Sequence, residues 1–169
     1  MPTSRTPFVL RSAVDPVGAD YASAFASPAA GLPSRTPEQW ARAAFEDAPA
    51  VLRLCLRAGW LGALGLRLGP RSSAEHVLGW RIAEREPGAI TLEAHSPLLG
   101  ARNVVSVDGA GLRWATFVRF ESRAGRAVWA AAAPVHHRVV PLLLRRAIRR
   151  AAGGGAGGQR RSSRIRTRG

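Results

Sequence analysis

The spacing of apolar and polar residues runs first at a helical period, then at a period of two, then at a helical period again. Thr36, Pro37, Glu38 and Gln39 read as a helix start: a hydroxyl cap, proline at the first helical position and an acid in the first turn. Trp40, Ala44, Phe45 and Ala48 then fall on one side, while Arg42 and Glu46 stand at pairing distance on another. Pro49 restarts or kinks the chain, and residues 50–68 are expected to continue as a second helix. Gly59, Gly62 and Gly65 weaken its second half by about 1 kcal/mol each relative to alanine. Small residues there suit a close approach of another element better than a frayed, movable segment.

From Leu78 the alternation is strand-like. Leu78, Trp80 and Ile82 face one way and Gly79, Arg81 and Ala83 the other, with a turn at Pro87 and Gly88. Ile90, Leu92 and Ala94 then alternate with Thr91, Glu93 and His95, and residues 96–100 form a tight connection. Val105 and Val107 mark a third strand that ends on the hairpin signal Asp108, Gly109. The fourth places Leu112, Trp114, Thr116, Val118 and Phe120 on one face and Arg113, Ala115, Phe117, Arg119 and Glu121 on the other. This predicts an antiparallel meander with one wet side. Ser122 caps a long C-terminal helix, in which Trp129, Ala132, Ala133, His136, Val140, Leu143 and Ala147 form an apolar stripe with Arg138, Arg145 and Arg149 opposite. Pro134 and Pro141 each remove a backbone donor, so this helix is expected to bend or break. Before the first helix, residues 8–14 suggest a short strand, and residues 18–37, rich in Ala, Ser and Pro, read mostly as loop with a turn of helix near 21–25.

Composition narrows the class. A chain of 169 residues suits one domain, taken as residues 1–152, followed at 153–169 by an Arg/Gly-rich tail expected to be disordered. The single cysteine, Cys55, lies in an apolar helical run and reads as a small buried hydrophobe, which leaves no disulfide framework. Residues 1–20 lack a charged start followed by an unbroken apolar run, and neither apolar window offers the roughly 20 uninterrupted residues of a membrane span, so a cytoplasmic location is expected. The net charge of +14 resembles a nucleic-acid signature, yet all 25 basic residues are arginine and nine of them lie in the last 25 positions, leaving +5 for the body. The tail, without interleaved aromatics, suits weak binding to an anionic lipid surface or nucleic acid, or a solvated extension.

Four stretches, GWRIAEREPG, LEAHSPLLGAR, LRWATFVRF and WAAAAPVHHRVVPLLLRRA, resemble a bacterial domain family of unknown function over residues 36–151. Its landmarks here are Gly79, Trp80 and Arg81, the run from Trp114 to Val118, and Pro134, Val135 and His136. That family occurs alone or fused behind short-chain-dehydrogenase-like NAD-epimerase proteins and belongs with the SRPBCC or START-like superfamily, which includes polyketide cyclases and lipid-transfer domains. The resemblance implies an α+β helix-grip fold, a curved antiparallel sheet wrapped around a long C-terminal helix with a cavity between them. It also implies a possible functional link to a short-chain-dehydrogenase-like protein, and it transfers no catalytic residue. A glycine-rich dinucleotide fingerprint is missing from this sequence.

The expected function is binding of a small hydrophobic or amphipathic molecule, with Trp80, Trp114, Thr116 and Val118 of the sheet and Trp129, His136 and Val140 of the helix as the lining. His136 is the best catalytic candidate, because an imidazole there could serve a cyclase- or isomerase-like enzyme as general acid or base. Its plainer reading is a packed ring bonded to a backbone carbonyl or to Thr116. His137 and His95 are expected in solvent and His76 at an edge, and four scattered histidines show no ligand spacing, so no metal or cofactor is expected. The lone tyrosine, Tyr21, lies far from His136 in sequence. Trp40 and Trp60 either border the cavity mouth or anchor the middle helices.

Overall fold

The computed structural model describes residues 18–28 and 30–162, with side chains described as far as 153. The expected strand at residues 8–14 lies outside the described residues. Among the described residues, seven strands form one antiparallel sheet: β1 (Tyr21–Pro28), β2 (Ser72–Ser73), β3 (His76–Val77), β4 (Trp80–Glu86), β5 (Ala89–His95), β6 (Leu99–Asp108) and β7 (Gly111–Phe120), in the order β1-β7-β6-β5-β4-β3-β2. With α1 (Pro37–Phe45), α2 (Ala50–Ala58) and the long C-terminal α3 (Arg123–Ser162), this is an α+β fold of the helix-grip kind.

The four meander strands stand where the period-two pattern puts them. Trp80, Ile82, Ile90, Leu92, Val105, Leu112, Trp114 and Val118 are buried on the inner face. Asp108 closes the β6–β7 hairpin by accepting from the amides of Ala110 (2.8 Å) and Gly111 (3.1 Å). A bulge between Ile82 and Glu84 interrupts the β4–β5 register and bends that end of the sheet.

The segment read as loop is a strand. β1 pairs along its whole length with β7, Tyr21 opposite Val118, Ser23 opposite Thr116 and Phe25 opposite Trp114. Small residues alternate too weakly to announce a strand, and only tertiary pairing defines it. As an edge strand it tolerates Pro28 at its end. Its outer-face Ala24 joins Ala115 and Phe117 in a small second apolar cluster, so the outer side is not wholly wet.

α1 begins as expected, in a capping box: Thr36 Oγ1 accepts from Gln39 N (3.2 Å) and Gln39 Oε1 accepts from Thr36 N (2.9 Å). It buries Trp40, Ala41, Ala44 and Phe45 against β5, β6 and α3. The second helix is shorter than expected, because α2 ends at Ala58 and a π-helical turn (Gly59–Ala63) comes next. Nothing lies within 4 Å of where a Cβ would stand on Gly59 or Gly62, so these glycines mark a loose segment and not a close approach. Gly65 has φ +61° and ends the turn.

α3 starts under Ser122, whose hydroxyl accepts from Gly125 N at 3.0 Å, and it continues through both prolines without a break. A Cβ on Gly125 would collide with the Leu98 carbonyl oxygen, which fixes how closely this first turn sits on the β5–β6 connection. Residues 123–153 are apolar and long enough to cross a membrane. Trp129, Val140, Leu143, Leu144 and Ala147 of that stretch are buried in the core, as in a helix that packs on a sheet. The backbone of the segment expected as a tail is helical to Ser162, and residues 163–169 lie outside the described residues.

Candidate functional site

Between the inner face of the sheet, α3 and the α2–π-turn segment lies a cavity of about 650 Å³. β4, β6 and β7 supply Trp80, Ala101, Asn103, Trp114 and Thr116. α3 supplies Val128, Trp129, Val135, His136, Val139 and Val140, and the opposite wall comes from Leu52, Cys55, Leu56 and Trp60 with Phe45 of α1. Among the described residues, no aspartate, glutamate, lysine or arginine borders it.

Six of the seven residues singled out as lining stand at this cavity: Trp80, Trp114, Thr116, Trp129, His136 and Val140. Val118 does not. It is wholly buried, and its register partner Tyr21 meets Trp129 edge-on (centroids 5.1 Å apart). Cys55 is also corrected, since it is exposed and borders the cavity. The helical period places it about 60° round from Leu52 at the margin of the inward side of α2, and that helix buries none of its residues. Trp60 borders the cavity while Trp40 is packed in the core.

Two aromatic groups wall the space. Phe45 meets Trp60 (5.1 Å) and Trp114 (4.9 Å), and Trp60 meets Trp80 (5.5 Å), all near-perpendicular. At the other end Trp129 lies 5.4 Å from His136, and Phe25 lies 6.0 Å from it.

The polar groups are few and ordered. Asn103 Oδ1 accepts from Trp114 Nε1 (3.1 Å) and Thr116 Oγ1 (2.7 Å), an arrangement that fixes the amide's orientation and leaves its NH2 as the donor toward the cavity. Asn103 was missed in the sequence because a polar residue on the inner phase of β6 looks like an interruption of the pattern. That interruption was the available signal: at 5% exposure it needs partners.

His136 bonds neither a backbone carbonyl nor Thr116. Its Nε2 is 3.2 Å from Ser23 Oγ on β1. Burial, with a smaller contribution from neighbouring His137, lowers its pKa to about 4. The ring is therefore neutral at pH 7, with one N–H, and is not the imidazolium form that would serve as a general acid. His137 is exposed, as expected, yet its Nε2 hydrogen-bonds the Tyr21 hydroxyl. Pairing of β1 with β7 thus brings the sequence-distant Tyr21 and Ser23 beside the histidine pair. His95 is exposed next to Glu93, and His76, near the β2 edge, meets Ser73 Oγ at 3.0 Å.

Among known proteins, the chain matches over residues 16–143 the family described as "Protein of unknown function (DUF2867)". No curated protein and no solved structure matches it significantly.

Proposed function

The chain belongs to this DUF2867 family, and we propose that its cavity binds one small, uncharged, hydrophobic or amphipathic molecule without transforming it. The observation that carries this reading is a space of about 650 Å³, within the range of sites for small organic ligands, with no charged residue in its lining among the described residues. The aromatic walls offer flat contact, and the Asn103 amide offers a donor to a carbonyl, ether or hydroxyl oxygen. A formal charge on the ligand would go uncompensated in such a lining.

A cyclase- or isomerase-like role asks His136 to donate or accept a proton. Burial holds it neutral and makes it a weak base, and among the described residues neither a carboxylate nor Tyr21 borders the cavity. Binding alone is the better-supported reading. The helix-grip arrangement supports placing the chain with START-like domains, and a link to a short-chain-dehydrogenase-like partner rests on the sequence resemblance.

The test is titration with the neutral fluorophore N-phenylnaphthylamine, alongside native mass spectrometry of protein purified gently from its own host. Wild-type protein should take up one probe molecule with quenching of tryptophan emission. Ala132→Phe, which narrows the cavity from α3, should weaken uptake several-fold while the protein stays folded. Unchanged uptake by that variant would place the probe elsewhere and sink the reading.

A further inference from the structure

Five large apolar side chains are exposed among the described residues: Val51, Leu54, Leu61, Val135 and Leu142. All five lie on two segments, α2 with its π-turn and α3, which are the segments that rim the cavity mouth through Cys55, Gly59 and Val135. On α3, at 100° per residue, Val135, Arg138, Leu142, Arg145 and Arg149 fall within roughly 80° of arc. All five are exposed, and none of the three arginines pairs with an acid among the described residues. The wider charge pattern agrees, because no acid occurs in residues 48–74 or 122–169. Arg53 and Arg57 of α2 donate to the carbonyls of Glu46 (2.7 Å) and Leu78 (3.0 Å), which leaves the Val51 and Leu54 side of that helix facing out.

An apolar stripe flanked by unneutralised arginines is the pattern of a segment that lies in the headgroup region of a membrane. A second copy of this chain would set cation against cation on the same face. We propose that the α2–π-turn segment and the outer face of α3 form a docking surface for an anionic phospholipid bilayer, with the cavity mouth turned toward the lipid. Val51, Leu54 and Leu61 enter the boundary between headgroups and acyl chains, and Arg138, Arg145 and Arg149 meet lipid phosphates. α3 keeps its core contacts throughout, so it lies on the membrane and does not cross it. Docking stands on these surface residues alone, and only exchange of a bound molecule with the bilayer rests on the cavity reading.

The experiment is co-sedimentation of the full-length protein with phosphatidylcholine vesicles, with and without phosphatidylglycerol, at low and high salt. Binding is expected only with phosphatidylglycerol and should weaken as salt rises. R138Q/R145Q/R149Q should lower partitioning by roughly a hundredfold. V51S/L54S should also release the protein, whereas R160Q/R161Q/R164Q/R166Q/R168Q should retain most binding. All three variants should keep the wild-type unfolding midpoint and take up N-phenylnaphthylamine as the wild type does. Two results overturn the proposal: no binding to anionic vesicles, or loss in the R160Q set with full binding by both face variants. If the wild type binds vesicles but not the probe, the cavity reading falls and the docking surface stands.

Discussion

His136 lies on the apolar stripe read from the sequence, but its environment depends on residues the sequence did not connect to it. Ser23 supplies its hydrogen bond, and Phe25 and Trp129 supply the rings that desolvate it. Because its pKa is near 4 in the fold against 6.5 in the unfolded chain, the unfolded state binds a proton first as pH falls. Stability from neutral His136 is complete above pH 6.5 and is lost between there and about pH 4, by an amount on the order of 3 kcal/mol. Denaturant unfolding at pH 7 and pH 4.5 should show this loss in the wild type and little of it in His136→Gln, whose amide can still reach Ser23. Glu93 and Glu38 have pKa values lowered below 4.5 despite the opposing effect of burial, by Arg102 and Arg81 in one case and by Arg42 and Arg85 in the other. Their contribution disappears in more acidic solution and does not obscure the histidine window. An equal pH response in both proteins would show that His136 is not buried as described.

At the scale of elements, a helix or strand was legible where its own residues carried the signal. The Thr36 cap and the alternation from Trp80 to Phe120 are local, and both stand as read. β1 was illegible because Ala22, Ser23 and Ala24 are small, and a strand of small residues acquires its order from pairing with Trp114 and Thr116. The length of α2 was misjudged because Gly59 and Gly62 were expected to meet a neighbour that is not there. In α3 the apolar stripe outweighed two prolines, since packing of Trp129, Val140, Leu143 and Leu144 exceeds the roughly 3 kcal/mol that each interior proline costs. Pro134 is exposed, so replacing it relieves the clash without opening the core. Pro134→Ala should raise stability by about 1–3 kcal/mol in urea titration, and a fall would mean that the helix needs its proline.

For the whole molecule, the order of packing divides a firm body from a loose wall. The sheet, α1 and the middle of α3 share one core, whereas no residue of α2 or of the π-turn is buried. Hydrogen exchange should therefore be fast across residues 50–63 and slow in β5, β6 and β7, and a molecule filling the cavity should slow the fast segment first. Uniform protection would contradict this division. The existence of a hollow was legible because a curved sheet and an apolar helix leave space between them. Asn103 left only an interruption of the β6 pattern as its signal, and the loose wall of α2 and the π-turn takes its place through tertiary geometry alone.

The pairing of β1 with β7 joins the beginning of the sheet to the strand formed last in the meander. During synthesis Tyr21 and Phe25 leave the ribosome long before their partners exist, and they stay unpaired until residues 111–120 emerge. A chain arrested before that point would present β6 as a bare template for other nascent copies. Closure of the sheet and protection of β6 would thus be the same late event, and α3, made after β7, completes the cavity only afterwards.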